Sequence, residues 1–467
     1  MGARLLLDLT EFCQVAVGGF SGIQRVEYEL GARLLADESL DVAGIVFDRA
    51  AGVFVDADAR EIYARHSTVA PVEPIPCAPA DGPHDPQVGD PQGAPLTPPE
   101  AGNGQPVHVP ESLTRRLLHR FTRTRAYLAL RDRWPLAAIR RAVRPAAPLP
   151  VPPEIIAEPP QVEPPLTAPA QVASGDTLLM LGAPWVAPDM STELRKLKDH
   201  SGCRVVLLVH DLIPVLHPEV APIDASRFSE FMTQALGVVD LCIAVSQATA
   251  RDIAQVCARE GLPTPPVNVI RLGDDLAGQP QPDRPTGIPE DLAPFVLVVG
   301  TVEVRKNHIV LYQAYQQALL DGVQLPPLLI VGRNGWLTDD LRYQLEHSPQ
   351  VGGRIIHLNS VSDAELVWAY TNCLFTVFPS RYEGWGLPVA EALARHKFCI
   401  ASDASSIPEI GGSLLDYASP YDPRGWMDKI AHYANNLDAL AEHVASIKSG
   451  YVATTWDATY SALRSSL

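Results

Sequence analysis

Glu383 and Glu391 are the two side chains whose spacing in this sequence most directly suggests chemistry. The apolar run 375–378 before them is typical of a buried parallel strand, and the apolar positions after Pro388 are typical of a helix. Glu383 then lies on the turn between the two elements, and Glu391 lies at the end of the first helical turn. Because the helix begins between them, the two carboxylates can meet different parts of one bound molecule.

The turn itself has the composition of an anion-binding site. Gly384 and Gly386 let the backbone approach a ligand closely, because no Cβ stands in the way. Leu387 follows, and Pro388 suits the first position of a helix. The start of that helix directs N–H groups and the positive end of its dipole towards a crevice. The alternative interpretation is an ordinary strand-to-helix turn with two exposed glutamates.

Cationic and glycine-rich turns follow other predicted strands. Arg305 and Lys306 come directly before a predicted helix, where two positive charges have little purpose unless they meet an anion. His210 ends the apolar run 204–209, at the edge where open α/β sheets bind ligands. The alternatives are an exposed basic turn and a structural histidine. Glycine turns that could hold phosphate or nucleotide through backbone N–H groups are predicted at Gly19, Gly22, Gly300, Gly332 and the adjacent Arg333.

Strands and helices alternate in both halves of the 467 residues, which predicts an α/β protein with two doubly wound, Rossmann-like domains facing a central cleft. We expect the first domain to span 1–280 and to carry an insertion at 71–170. The second domain is expected to span 286–450. The stretch between them is rich in Gly, Pro and Asp and is the predicted linker.

Composition narrows the classes of function. The formal net charge of −17 argues against nucleic-acid binding, which needs a basic surface. The seven cysteines are scattered without CxxC spacing, which favours reduced thiols over disulfides or a zinc site. No leader is evident, and no apolar stretch approaches the roughly 20 residues of a membrane helix. A cytoplasmic protein is predicted.

The insertion differs from the rest of the chain. Residues 71–110 contain 12 prolines, which predicts an extended or disordered segment. Residues 114–144 contain ten arginines and a single acidic residue, with apolar side chains interleaved. One interpretation is a helix with a basic solvated face. The other is an amphipathic segment that holds the protein at an anionic membrane surface.

The stretch FPSRYEGWGLPVAEAL (378–393) resembles the E-x7-E motif of retaining glycosyltransferases, and of glycosyltransferase family 4 in particular. The stretches SGIQRVEYEL, HDLIP and SIPEIGG are similar to that family as well. The resemblance covers roughly residues 1–60 and 175–467 and omits the insertion. It implies the GT-B fold, with the C-terminal helix at 451–467 packing back on the first domain.

The resemblance also implies roles for individual residues. Glu383 would bind donor-sugar hydroxyls near the anomeric carbon, Glu391 the ribose hydroxyls, and His210 the sugar from the first domain. Lys306 and Arg305 would neutralise the donor diphosphate. The family pattern has arginine where this chain has Thr301 and glycine where it has Asn307, so Arg305 would replace the arginine from a nearby position. Gly19 and Gly22 would lie over the diphosphate and acceptor. The turn at Gly300 would meet the donor, and the turn at Gly332 and Arg333 would flank the base.

The implied activity is transfer of a sugar from a nucleotide diphosphate-sugar, with retained configuration, to a glycan or lipid-linked acceptor. These sequence motifs are most similar to those of bacterial mannosyltransferases of surface-polysaccharide synthesis, which favours GDP-mannose over UDP-sugars. No further cofactor and no metal are predicted: Asp56 and Asp58 have DxD spacing but fall at the end of a predicted hairpin. The alternatives are a nucleotide-sugar epimerase or hydrolase, and a silent sugar-nucleotide-binding protein held at the inner face of the membrane.

Overall fold

The computed structural model describes residues 3–14, 22–67, 169–222, 225–275, 281–290, 292, 294–348, 351 and 353–467. Residues 1–73 and 161–467 form one compact unit, to which all the elements below belong. A second unit, 74–160, lies outside the described residues. The predictions for Gly19, for the proline-rich run and for the basic segment 114–144 therefore fall outside them as well.

The first lobe is a seven-stranded sheet covered by helices. Its strands are arranged in the order β3-β2-β1-β4-β5-β6-β7, and all neighbours are parallel except β2 and β3. The strands are β1 (Leu5–Asp8), β2 (Val42–Asp48), β3 (Val53–Ala57), β4 (Thr177–Met180), β5 (Arg204–Val209), β6 (Leu241–Ala244) and β7 (Val267–Val269). The helices are α1 (Gly22–Ala36), α2 (Ala59–Ser67), α3 (Met190–Ser201), α4 (Ile213–Leu216), α5 (Ser226–Ala235) and α6 (Gln247–Glu260).

The second lobe is a six-stranded parallel sheet with the order β10-β9-β8-β11-β12-β13. Its strands are β8 (Val296–Val299), β9 (Leu328–Val331), β10 (Ile355–Leu358), β11 (Phe375–Phe378), β12 (Cys399–Ser402) and β13 (Asp416–Ala418). Its helices are α7 (His308–Asp321), α8 (Asp339–His347), α9 (Asp363–Asn372), α10 (Leu387–Ala394), α11 (Ile407–Gly411), α12 (Pro423–Asn435) and α13 (Leu437–Gly450). A last helix, α14 (Trp456–Ser466), ends the chain.

Both sheets are buried on two faces, which explains why their strands are apolar throughout. Successive side chains of a strand point to opposite faces. Leu7 accordingly joins the core under α1, whereas Leu6 joins the core on the other face. In the second lobe Val296 and Leu297 divide in the same way between two cores. The α/β architecture with two doubly wound sheets is confirmed.

Each sheet reverses its strand order at one place, and these places position the candidate site. In the second lobe the order reverses between β8 and β11, so the segments that follow these two strands meet at the carboxyl edge of the sheet. Open α/β sheets bind ligands at such a switch point. The segment after β8 carries Arg305 and Lys306, and the segment after β11 carries Glu383. In the first lobe the equivalent reversal lies between β1 and β4.

The C-terminal helix α14 packs against α1 of the first lobe. Arg33 of α1 forms an ion pair with Asp457, with 2.7 Å between Nε and Oδ1. The buried ring of Trp456 donates a hydrogen bond from Nε1 to the carbonyl of Asp275 at 3.1 Å. The chain thus crosses from the second sheet back to the first, and its last helix belongs structurally to the first lobe.

Candidate active site

Arg305, Lys306 and Glu383 form one buried ionic cluster. Arg305 Nη1 lies 2.6 Å from Glu383 Oε2, and Lys306 Nζ lies 2.7 Å from Glu383 Oε1. The hydroxyl of Ser380 donates to the same Oε1 at 2.6 Å. Glu383 is only 6% exposed. Arg305 and Glu383 are 78 residues apart in the sequence, and together with Lys306 they lie in contact at the switch point.

A further carboxylate belongs to this cluster. Glu303 Oε1 lies 2.6 Å from Arg305 Nη2 and is 2% exposed, so Arg305 bridges two buried glutamates. Burial raises the pKa of Glu303, and the charges of Arg305 and Lys306 only partly oppose that rise. Burial also acts to raise the pKa of Glu383, but Arg305 and Lys306 outweigh it and lower this pKa to about 2. Glu383 is therefore fully ionised at neutral pH.

Asn307 explains how the turn after Lys306 tolerates a residue other than glycine. Its φ is 60°, in the left-handed region that favours glycine and admits asparagine more readily than most other residues. The side chain is 1% exposed, and its amide donates to the carbonyls of Pro379 and Pro420 at 3.0 and 2.7 Å. Arg381 Nε donates to the side-chain oxygen Oδ1 of Asn307 at 3.2 Å. Asn307 thus fastens the cationic turn to the segment that leads to Glu383.

The two lobes meet at Gly384 and His210. A Cβ on Gly384 would lie 1.9 Å from the backbone carbonyl oxygen of His210, so only glycine fits there. The imidazole of His210 is buried, with Nε2 2.7 Å from the carbonyl oxygen of Leu181. Burial lowers the pKa of His210, although that hydrogen bond opposes the shift, so the ring is neutral at pH 7. His210 hence lies at the junction of the lobes, next to the turn that carries Glu383.

Glu391 is held by partners from both lobes. Its Oε1 lies 2.8 Å from Arg25 Nη1 of helix α1, and its Oε2 accepts from the hydroxyl of Tyr370 at 2.9 Å. Arg25 also donates to the carbonyl of Asp275 at 2.6 Å. Burial raises the pKa of Glu391, and Arg25 and Tyr370 oppose the rise. The arginine from the glycine-rich start of α1 therefore reaches across to the second carboxylate of the 383–391 pair.

The remaining glycine turns lie around this cluster. A Cβ on Gly332 would come within 2.1 Å of the carbonyl oxygen of Gly300, so the two turns after β8 and β9 pack backbone to backbone. The methylenes of Lys306 lie beside Gly300, whereas the Arg333 side chain is exposed to solvent. The rest of the predicted glycine positions lie at helix starts: Gly22 opens α1 and faces Leu387, while Gly386 immediately precedes α10.

Ser405 and Glu303 help to hold the site and were not singled out by sequence reasoning, whereas Ser406 begins the family-like stretch SIPEIGG. Ser405 accepts from the backbone N–H of Glu383 at 2.8 Å and donates to its carbonyl at 2.9 Å. Ser406 donates to the carbonyl of Trp385 at 2.6 Å. The signal for Ser405 was that it directly precedes the stretch SIPEIGG. Glu303 has a better one, since it lies two residues before the bridging arginine.

The predictions about a metal site and about membrane-spanning helices can be compared only with the part of the chain that the structure describes. Asp56 is the penultimate residue of strand β3, and Asp58 directly follows the strand, which is the edge strand of the first sheet. Within the described ranges, no cluster of three or more His, Cys, Asp or Glu side chains is arranged to hold a metal ion. None of the helices in the part of the chain that the structure describes is both long and apolar enough to cross a bilayer.

Residues 282–448, almost the whole second lobe, match the protein family described as glycosyl transferases group 1. Over this range the second lobe is similar to glycosyl transferases group 1. The matched range contains Arg305, Lys306, Glu383 and Glu391, so the ionic cluster lies inside the domain that the family defines. The first lobe contributes His210 and Arg25 from outside the matched range.

Relatives and solved structures agree with this assignment. The serotype-specific mannosyltransferase WbdA of Escherichia coli is 29% identical over 277 residues, which are 55% of this chain and 33% of WbdA. O-antigen chain mannosyltransferase B of Escherichia coli is 29% identical over 247 residues, or 52% of this chain and 60% of that protein. The chain thus spans about a third to three fifths of the length of these curated relatives. HepE of Anabaena, crystallised in complex with UDP and glucose, superimposes with a TM-score of 0.55 at 13% identity and 99% coverage of both chains. The architecture is that of the GT-B fold.

Proposed function

We propose that this protein is a retaining glycosyltransferase that moves mannose from GDP-mannose to a glycan or lipid-linked acceptor in bacterial surface-polysaccharide synthesis. The observation that carries the proposal is the cluster at the switch point, where Arg305 and Lys306 converge within 2.7 Å on Glu383. The choice of mannose is supported by the two relatives named as mannosyltransferases.

The physical problem of such a transfer is the charge that develops on the departing diphosphate. In this proposal Arg305 and Lys306 turn towards that diphosphate, and the N-terminus of α10 adds its N–H groups and dipole. The proposed mechanism uses no bound metal ion, because the two cations and the helix end would face the leaving group. Each preorganised donor of this kind contributes about 3 kcal/mol to lowering the barrier.

Glu383 is assigned a binding and orienting role in this proposal. Both of its oxygens accept from cations or a hydroxyl, and its pKa is about 2. Such a carboxylate is a weak base and a weak nucleophile. We therefore propose that Glu383 holds the sugar hydroxyls near the anomeric carbon and that the leaving phosphate takes the acceptor's proton. Glu391 would hold the ribose hydroxyls and His210 would contact the sugar from the first lobe.

The test is an assay of the purified full chain with GDP-mannose and octyl α-D-mannoside as a synthetic acceptor, in buffer with a chelator. The proposal predicts a disaccharide whose new linkage has the same anomeric configuration as the donor, as read by NMR coupling constants. Lys306→Ala should lower turnover at least about 100-fold. An inverted linkage would contradict retention, and activity that requires added divalent metal would contradict the metal-free mechanism.

The same assay separates the alternatives. Release of free mannose, or a changed nucleotide-sugar, in the absence of acceptor would identify a hydrolase or an epimerase.

A thermal-shift comparison of GDP-, UDP- and dTDP-sugars tests the donor, with the largest stabilisation expected for GDP-mannose. If none of the three stabilises the protein, the silent-binding alternative fails together with the proposal. Binding without any turnover would favour the silent protein.

A further inference from the structure

The start of helix α6 in the first lobe is capped from the second lobe. The first backbone N–H groups of an α-helix have no intrahelical partners. In α6 the N–H of Ala250 makes the first intrahelical hydrogen bond, to the carbonyl of the capping residue Ser246 at 3.0 Å, and the hydroxyl of Ser246 accepts from the N–H of Thr249 at 3.0 Å. The N–H groups of Gln247 and Ala248 have neither kind of partner. Both are bound by one carboxylate, that of Glu409, across the cleft.

The geometry of this cap is bidentate. Gln247 N lies 2.7 Å from Glu409 Oε2, and Ala248 N lies 2.7 Å from Glu409 Oε1. Arg251, one turn further along α6, lies 3.6 Å from the same Oε1. A carboxylate at a helix N-terminus is favoured both by the free N–H groups and by the helix dipole. The contact therefore joins two lobes by charge-assisted hydrogen bonds rather than by apolar packing.

The second end of this connection is the turn that carries Glu383. Glu409 lies on α11, directly after Ser405 and Ser406, whose hydroxyls bond the backbone of Glu383 and Trp385. Moving Glu409 away from α6 would therefore pull on the residues that fix the backbone of Glu383.

Two neighbouring contacts run from the same helix start to the same turn. The hydroxyl of Tyr382 donates to Asp252 Oδ1 at 2.8 Å, and the hydroxyl of Thr249 donates to the carbonyl of Gly384 at 3.3 Å. These contacts bracket Glu383 on both sides. With the Glu409 cap, they connect the start of α6 to Tyr382 and Gly384, the residues on either side of Glu383.

We propose that Glu409 is a positioning residue that clamps the start of α6 onto the second lobe and so sets the Glu383 turn in place when the cleft is closed. Its effect on turnover rests on the glycosyltransferase function proposed above. The clamp itself consists of two hydrogen bonds, and the protection of their two amides can be measured without any activity.

The experiment is hydrogen exchange on the full chain, read by mass spectrometry with fragmentation that resolves Gln247 and Ala248. Glu409→Ala should speed exchange of both amides at least tenfold, because nothing else accepts from them among the described residues. The matched control is Glu442→Ala, an exposed glutamate of the same lobe with no contact to the first lobe through its side chain among the described residues. It should leave both amides unchanged. Unchanged exchange in Glu409→Ala would overturn the proposal.

Two further measurements distinguish a clamp from general stabilisation. Glu409→Gln has the same shape but one acceptor oxygen, so it should release only one of the two amides; full protection of both would overturn the clamp. In Glu409→Ala, kcat should fall at least tenfold while the Kd for GDP stays within twofold, and equally faster exchange throughout both lobes would overturn the proposal. If the wild type shows no turnover at all, the function has failed, and the two amides still decide on the clamp.

Discussion

The ionic cluster makes a quantitative prediction about acid stability through Glu383→Gln. Glutamine keeps the shape of the side chain and removes its charge. Among the described residues, Arg305 then keeps its ion pair with Glu303, whereas Lys306 loses its carboxylate partner. The folded protein holds the pKa of Glu383 at about 2, against 4.5 for an ordinary glutamate. That difference corresponds to about 3 kcal/mol in favour of the ionised form in the folded state. We expect the substitution to lower the free energy of unfolding at pH 7 by about this amount.

The sign of the pH dependence follows from the same values. Because the folded pKa lies below the unfolded one, the unfolded chain binds more protons in acid, and stability falls as pH falls. The contribution of Glu383 is complete above pH 4.5 and is lost as pH approaches 2. By pH 3 about 2 kcal/mol of it should have disappeared. The difference in stability between wild type and Glu383→Gln should therefore shrink from about 3 to about 1 kcal/mol between pH 7 and pH 3.

The assay is urea unfolding of both proteins at pH 7, 5, 4 and 3, followed by tryptophan fluorescence. Glu442→Gln, which removes an exposed charge from the same lobe, is the matched control and should change stability by less than about 0.5 kcal/mol at each pH. A difference between wild type and Glu383→Gln that is the same at pH 7 and pH 3 would refute the reasoning. So would a difference near zero at pH 7.

Three other substitutions test the contacts around the cluster. Gly384→Ala should separate the lobes, because its Cβ would meet the His210 carbonyl at 1.9 Å, and small-angle scattering should show a larger radius of gyration. The control Gly175→Ala, whose Cβ meets nothing closer than 3.8 Å, should leave the radius of gyration unchanged. Arg25→Gln leaves buried Glu391 without its cation and should lower the free energy of unfolding by about 3 kcal/mol, and an unchanged urea midpoint would contradict the pairing. Ser380→Ala removes one donor to Glu383 and should cost about 1.5 kcal/mol in the same assay, with no loss speaking against that hydrogen bond.

Sequence reasoning could predict the second lobe well because the relevant signals are local. The apolar run 295–299 contains strand β8, and the run 375–378 is strand β11 beside it. The residues after the two strands meet at one edge of the sheet. The capping box at Ser362 and Glu365 is likewise a short-range signal, and both of its hydrogen bonds are present. The roles of His210, Glu391 and the glycine turns in binding a donor stay predictions.

What the sequence could not supply are contacts between distant segments. Glu409 lies 162 residues from Gln247, and Arg25 lies 366 residues from Glu391. No periodicity or spacing encodes such a pair, because the contact depends on how two lobes close on each other. Small changes of boundary have local causes: the last helix begins at Trp456 rather than at 451, since Thr455 caps it by accepting from the N–H of Ala458.

The departure at Asn307 shows how local chemistry can replace a motif. The family pattern has glycine where this chain has Asn307. The φ of 60° at Asn307 is one that glycine adopts most readily. Asparagine also occupies this region at modest cost. Its amide then forms the two hydrogen bonds to Pro379 and Pro420 that glycine could not make. The turn is kept, and its stiffness comes from the side chain.

Calorimetric titration of nucleotides tests the central claim most directly, namely that Arg305 and Lys306 receive a sugar-linked diphosphate. GDP and GMP should be titrated into wild type and Lys306→Gln in buffer with a chelator. The account predicts that wild type binds GDP at least tenfold more tightly than GMP and that the substitution abolishes this preference. Equal affinities of wild type for GDP and GMP, or a preference that survives in Lys306→Gln, would contradict it.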